Sequence, residues 1–308
     1  MIRVATFGNY QAALLDLMNA QLRGAEAQER VSTQKIATDL NGFGRQSETL
    51  TARKGARSRI QGFIDTAEAV TARLTTQDLA LTRVGDGVAG IRQAVANVLA
   101  TDYAGSLMQE LEGHFQAIRG GLNMRHHGNH LFSGAKVNTP PVTVGSLAEL
   151  QAAPDVASIF ANDDLRTVSR VAEGTELRTG FLAEDVGTDV MEILREIQNF
   201  HTGADGPLDG RLTQPQKEFL EGLLGRLDAA ATAVVEKTAQ TGLMHNQVED
   251  LTKAHESQLL SLDELVSKRT DADMAKAVTD LQLSQIAIQA SAQVIGQLRQ
   301  VSLLNYLS

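Results

Sequence analysis

From Ile60 to Val98 the apolar positions recur by alternating steps of three and four: Ile60, Phe63, Ala67, Val70, Leu74, Gln77, Leu81, Val84, Val88, Ile91, Val95 and Val98. Gln77 is the one polar member. A register sustained that long predicts a single helix packed along a coiled-coil-like seam. At ~1.5 Å per residue the helix runs roughly 60 Å, so the pattern predicts a rod rather than a globule.

Elsewhere the periodicity is shorter. Leu14, Leu15, Leu17, Met18 and Leu22 mark an N-terminal helix, and "DLNGFGRQ" (39–46) separates it from the long one through two glycines in a polar setting. "TDYAGS" (101–106) reads as a turn with Thr101 or Asp102 as N-cap, followed by a third helix to about Arg125. From 131 to about 185, "LFSGAKVNTPPVTV" and "LRTVSRVAEGTELRTGF" carry β-branched residues, partial alternation and Gly/Pro punctuation, the marks of a small strand-rich insertion. "DVGTDVMEILREIQNF" returns to helix and "TGADGPLDG" is a loop. A return arm starts at Thr213, with Leu220, Leu224, Leu227, Ala231 and Val234 on one face and Val248, Leu251, Leu262 and Val266 further on. "KRTDADMA" (268–275) reads as the joint before the last helix.

Proline agrees with this map. All five (Pro140, Pro141, Pro154, Pro207, Pro215) fall in the middle of the chain, leaving long helical arms on either side. The expected architecture is mainly α: an elongated rod of long antiparallel coiled-coil-like helices with a small strand-rich central insertion. Its parts are an N-terminal inner helix (1–41), the first half of the rod (42–130), the β-rich outer domain (131–185), the second half of the rod (186–270) and a C-terminal inner helix (271–308).

The last helix carries two apolar stripes. Met274, Val278, Leu281, Ile288, Ala292 and Ile295 follow the three-four register, while Leu283, Ile286, Ala290, Val294, Val301 and Leu304 lie elsewhere around the axis. Leu281 and Leu283 are about 200° apart at ~100° per residue. A helix apolar on two faces needs cover on both. The N-terminal helix, through Leu14 and Met18, can supply one. The second requires either the centre of one compact bundle or neighbouring copies of the chain, and Leu281 to Leu298 holds no formal charge to oppose close approach of copies.

Composition removes several function classes. A net charge of −9 argues against a general nucleic-acid binder. With no cysteine there is no disulfide, thiol catalyst or Cys-based zinc site. No window reaches ~18 apolar residues, so no membrane insertion is expected, and "MIRVATFGNYQAALLDLMNA" lacks the features of a cleaved signal peptide. "GDGVAG" (85–90) has dinucleotide-fingerprint spacing, but Val84, Val88 and Ile91 carry the seam straight through it. Its glycines therefore read as close helix contact or a local kink. His126 and His130 have the four-residue spacing of helical metal ligands, beside Arg125 and His127, yet no carboxylate neighbours them; a solvated or interface cluster is the alternative. His245 and His255 sit in helical surroundings as packed or surface residues. Arg53, Lys54, Arg57 and Arg59 read as a salt-bridging face, and Asp271 and Asp273 as caps. No cofactor, metal or enzymatic site is expected.

The C-terminal "DADMAKAVTDLQLSQIAIQASAQVIGQLRQVSLLNYLS" resembles the terminal helix of the bacterial flagellin family, and "RVSTQKIATDLNGFGRQSETLTARKGARSRIQGF" is similar to the segment joining that family's first two helices. "GNHLFSGAKVNTPPV" (128–142), through Leu131, Phe132, Ser133, Gly134 and Pro140, and the ending "SLLNYL" are similar to the family's hook–filament junction branch. "GFGRQSE" departs from the acidic pair that the family often has after the first helix. The resemblance implies an extracellular structural subunit of the flagellum, exported by the type III apparatus without a cleaved signal. Its implied partners are further copies of itself (a homo-oligomer), the adjacent hook-side junction protein and flagellin, and an export chaperone on the C-terminal helix. A minor flagellin of the filament is the nearest alternative. A secreted helical type III effector or tip protein is one from another class.

Overall fold

The computed structural model describes residues 2–307; for residues 2–7 and 299–307 it describes the backbone alone. In chain order the helices are α1 (Ile2–Thr33), α2 (Ser47–Thr101), α3 (Leu107–Leu122), α4 (Leu147–Ala152), α5 (Ala183–Thr202), α6 (Gln214–Thr270) and α7 (Met274–Leu307). Two antiparallel hairpins interrupt them, β1 (Arg125–His126) with β2 (Asn129–His130) and β3 (Val168–Ala172) with β4 (Thr175–Arg178). The protein is therefore mainly α, with long helices and a small insertion carrying the strands. It divides into two compact units: one takes in the chain ends up to Arg59 and from Gln258, the other spans Ile60–Ser257.

The second unit is built on α2 and α6 running antiparallel. Gln77 Nε2 on α2 donates to Thr241 Oγ1 on α6 at 3.0 Å, and Arg92 Nη2 reaches Asp228 Oδ2 at 3.4 Å. Along α2 the predicted positions Val70, Leu74, Leu81, Val84, Val88, Ile91, Val95 and Val98 are buried, with Ala67 and Gln77, while Ile60 and Phe63 are half-buried. They divide between two cores. Leu81 to Val98 pack with Leu107, Leu111, Phe115 and Ile118 of α3 and Leu220, Leu223 and Leu227 of α6. Ala67, Val70 and Leu74 join Val248 of α6 and Val171 and Leu177 of the β3–β4 hairpin. That hairpin is held further by His255, whose Nε2 lies 2.9 Å from the Val171 carbonyl and whose ring stacks on Phe63 at 5.5 Å.

The glycines of "GDGVAG" lie inside α2 as contact points. A Cβ at Gly87 would stand 2.5 Å from Ile118 Cγ1, one at Gly90 2.2 Å from the His114 ring, and one at Gly121 of α3 2.9 Å from the Ala80 carbonyl. Only glycine lets α2 and α3 approach this closely.

Side chains that imitate backbone organise the irregular segments. Asn123 Nδ2 donates to the Val142 carbonyl at 2.9 Å and its Oδ1 accepts from Val142 N at 2.8 Å, extending the bridge between Val142 and Phe160. Ser146 caps α4 by accepting from Glu149 N at 3.2 Å. Gln216 Oε1 accepts from Thr213 N at 3.0 Å at the start of α6, half of a capping box; its amide nitrogen serves the carbonyls of Asp205 and Pro207.

Several boundaries differ from the sequence expectation. α1 ends at Thr33, not near 41, because Gln34 turns left-handed (φ 57°) and Lys35 enters an antiparallel bridge with Asp271. A hairpin already occupies 125–130, ahead of the expected insertion, and α5 begins at Ala183, inside it. Between them the 131–182 stretch consists of loops, α4, a short 3-10 turn at Ala157–Ile159 and the single hairpin β3–β4. Neither Thr101 nor Asp102 caps α3. Asp102 has φ 58° and its carboxylate receives Arg211 Nε at 3.1 Å and Lys217 Nζ at 2.7 Å, while Ser106 takes the cap position.

Candidate functional site

Within the first unit α1 and α7 pack antiparallel through small residues. On α1, Ala13, Ala20, Gly24 and Ala27 are buried and Leu17 and Val31 half-buried; on α7, Ala277 and Ser284 are buried and Leu281, Ile288, Ser291, Ile295 and Leu298 half-buried. Both stripes step by three and four residues. A Cβ at Gly24 would meet Ser284 Cβ at 3.5 Å and Ile288 Cδ1 at 3.6 Å, ordinary contact distances. Arg30 Nη1 stands 3.7 Å from Asp280 Oδ2 across the pair.

Small residues fill about half of this seam, and a second set of large apolar side chains points away from it. Leu15, Met18 and Leu22 of α1 are 60%, 56% and 61% exposed, and Leu283, Ile286 and Val294 of α7 are 59%, 62% and 47% exposed. Leu14 stands at the edge of exposure. Full burial of one such side chain contributes ~1.5–3 kcal/mol, so the surface of this helix pair carries a large unrealised stabilisation. Along one side runs a groove of about 590 Å³ whose α1 wall carries Asp16, Arg23, Glu26 and Arg30 and whose α7 wall carries Asp280, Leu283, Ser284, Ala287 and Ser291.

The predicted stripes of α7 fall as follows. Leu281, Ile288 and Ile295 lie on the face toward α1. Met274 and Val278, expected beside them, are exposed at its margin, as is Ala292. Ala277, Ser284 and Ser291 alternate with Leu281, Ile288 and Ile295 on that face instead. Sequence reasoning ranked positions by apolarity and so missed them. The repeated three-four spacing of Ala13, Ala20, Gly24 and Ala27 against Ala277, Ser284 and Ser291 was the available signal. Leu304, with Val301, lies outside the described side chains.

A polar joint closes one end of the pair. Ile36 N donates to the Thr270 carbonyl at 2.8 Å and Ala272 N to that of Gln34 at 3.0 Å. Lys35 Nζ and Ser267 Oγ both donate to the Asp271 carboxylate. Lys35 first, then Ser267, pull that carboxyl down to about 2. Asp273 Oδ1 accepts from Lys276 N at 3.1 Å, capping α7. The basic run lies on α2 and is tied to α6: Arg57 pairs with Asp263, and Arg53 Nη1 donates to the Leu265 carbonyl at 3.1 Å.

In the second unit the histidines are tied to the fold. His126 and His130 stand on a hairpin rather than a helix. His130 Nδ1 lies 2.8 Å from the Asn123 carbonyl, and Arg125 Nε donates to its Nε2 at 3.1 Å; His126 Nδ1 meets Thr76 Oγ1 at 2.9 Å. Burial first, then the charge of His127 and Arg73 for His126 and of Arg125 for His130, hold both rings below the ordinary histidine value. Among the described residues no three His, Cys, Asp or Glu converge as metal ligands, and no helix is long and apolar enough to cross a membrane.

Residues 224–307 match the helical region at the C-terminus of bacterial flagellin. That segment takes in most of α6 and all of α7. No curated protein sequence matches the chain. The fold itself is that of flagellar hook-associated proteins. A protein of Vibrio parahaemolyticus described as a flagellar hook-associated protein aligns at TM-score 0.61 and 17% identity over 76% of this chain and 99% of its own. FlgL of Xanthomonas campestris aligns at TM-score 0.56 and 12% identity, over 70% and 99%. FlgL of Bacillus cereus aligns at TM-score 0.52 and 14% identity, over 70% and 98%. The chain is thus flagellin-like in its C-terminal segment and similar in fold to flagellar hook-associated proteins.

Proposed function

We propose that the chain is a structural, non-enzymatic subunit of the bacterial flagellum, placed at the junction of hook and filament. It works by assembling side by side with copies of itself through the α1–α7 pair. The observation that carries this reading is the second apolar face of that pair: Met18, Leu22, Leu283 and Ile286 face out although the seam between the two helices is already filled. A surface of that kind is completed by neighbours. Resemblance to junction subunits supports the position in the flagellum, export by the type III apparatus, contacts with a hook-side neighbour and with flagellin, and an export chaperone that shields α7 in transit. Mechanically, the subunit adapts a bending hook to a stiffer filament.

Deletion of the gene followed by electron microscopy tests the reading. Bare hooks with unpolymerised flagellin in the medium are the expected result, and normal filaments in a strain without a second copy would overturn it. Leu283→Asp or Ile286→Asp refines the test: secretion continues while incorporation into the flagellum is lost.

A further inference from the structure

The segment between α1 and α2 contains the chain's single Asn-Gly pair, Asn41–Gly42, among eleven asparagines. Asp39, Asn41 and Gly42 are all exposed. The Gly42 amide donates to the Asp39 carboxylate, Oδ1, at 3.0 Å, which sets a carboxylate directly against the nitrogen that follows Asn41. We infer that Asn41–Gly42 is a self-modifying site, at which Asp39 assists conversion of the asparagine to aspartate and isoaspartate.

The chemistry needs one nitrogen freed of its proton next to one amide carbon. The Gly42 nitrogen forms a bond to Asn41 Cγ, the Cγ–Nδ2 bond breaks, and ammonia leaves, closing a five-membered succinimide. Asp39 takes the proton from the Gly42 nitrogen and returns it to the departing Nδ2. Water then opens either carbonyl of the ring, giving aspartate or isoaspartate with no oxidant or reductant consumed. Glycine at position 42 presents no Cβ to hinder closure and permits the backbone excursion that ring formation requires. Asn41 and Gly42 open a 3-10 turn, Asn41–Gln46, whose first amides have no acceptor within the turn; the Gly42 amide has only to hand its proton along the bond it already makes to Asp39.

The result is a new carboxylate two residues from Asp39, shortly before α2 begins at Ser47. Where isoaspartate forms, the main chain also gains a methylene. An ageing subunit therefore changes charge and geometry at the segment connecting its first two helices, without any enzyme.

The full-length chain is incubated at neutral pH and physiological temperature, and the tryptic peptide Ile36–Arg45 is followed by mass spectrometry with fragmentation. Asp39→Asn, which keeps an acceptor but loses the base, and Asn41→Gln, which serves as the blank, are run alongside, each folded and in urea. Expected is conversion at Asn41 ahead of the other ten asparagines, slowed several-fold by Asp39→Asn in the folded chain and equal for the two in urea. Three results would overturn the inference: Asn41 unchanged while other asparagines convert, Asp39→Asn converting at the parent rate when folded, or the same difference persisting in urea.

Discussion

The two units solve the same problem, long helices side by side, in opposite ways. The second unit buries its large residues: Leu74, Phe115, Ile118 and Phe132 are fully enclosed, and glycines let α2 and α3 touch. In the first unit the stripe between α1 and α7 alternates small residues with half-buried Leu17, Leu281, Ile288 and Ile295, and Leu15, Met18, Leu22, Leu283 and Ile286 remain outside. Hydrophobic composition alone does not separate them, since α7 is rich in Leu, Ile and Val. The difference lies in which face those residues occupy. One unit encloses its large side chains within a single chain, and the other leaves Leu15, Met18, Leu22, Leu283 and Ile286 largely in water.

The largest effect expected from this contrast is on core truncations. Phe115→Ala should cost ~3–5 kcal/mol and Leu74→Ala ~2–5 kcal/mol in urea unfolding of the free subunit. Leu283→Ala or Ile286→Ala should stay within ~0.5 kcal/mol, because the side chains removed are already in water. Comparable losses at both places would mean that α7 is covered within the free chain, and the proposed assembly surface would fail with it.

Glycine provides a sharper version, in which one substitution takes opposite signs. At Gly121 a new methyl meets the Ala80 carbonyl and Val84, both on α2, so Gly121→Ala should destabilise by about 1–3 kcal/mol through overpacking, beyond the ~1 kcal/mol that alanine returns in a helix. At Gly24 the same methyl finds ordinary contacts with Ser284 and Ile288. Gly24→Ala should therefore stabilise, by up to ~1 kcal/mol. Thermal unfolding of the two variants decides whether the α1–α7 seam is looser than the α2–α3 contact.

Acid should separate the units as well. His126 and His130 are held below their ordinary 6.5 in the folded chain. As pH falls through 6.5 the unfolded chain takes up protons that the folded chain resists, so the second unit loses stability there. The Asp271 carboxyl moves the other way in its consequence. Its folded value is about 2 against an ordinary 3.8, so its contribution is complete above 3.8 and disappears only as pH falls through about 2. Residue-resolved hydrogen exchange between pH 7 and pH 5 should show faster opening around the β1–β2 hairpin with the Lys35–Asp271 joint unchanged. Replacement of both His126 and His130 by Gln should flatten the dependence.

Much of this arrangement was legible in the chain. The seam from Ile60 to Val98 shows in the text because large residues at heptad spacing have no other use on so long a helix. The joint at 268–275 was announced by Asp271 and Asp273. What stayed hidden depends on contacts between distant segments. Nothing local says that Asp102 serves Arg211 and Lys217 rather than a helix start, or that Lys35 bridges to Asp271 and so ends α1 early. The α7 face toward α1 was misjudged at Met274 and Val278 for a related reason. Burial there follows the stripe that faces α1, in which Ala277, Ser284 and Ser291 alternate with Leu281, Ile288 and Ile295, rather than the apolarity of each position.

The smallest expected effect concerns the joint. Lys35 and Asp271 are both nearly half exposed, at 47% and 43% of their side-chain surface, so their pairing is worth only ~0–1 kcal/mol to the free subunit. Their position gives them more reach than that figure suggests, because the bridge between them fixes where α1 stops and α7 begins. Lys35→Ala should leave the unfolding midpoint nearly unchanged while raising hydrogen exchange at Ile36 and Ala272, whose amides close the bridge through Thr270 and Gln34. Arg30 and Asp280, five and nine residues further into the two helices, should feel nothing if the seam of small residues holds the pair by itself. Faster exchange spreading along α1 from the joint would show instead that the ion pair, not the seam, keeps these helices in register.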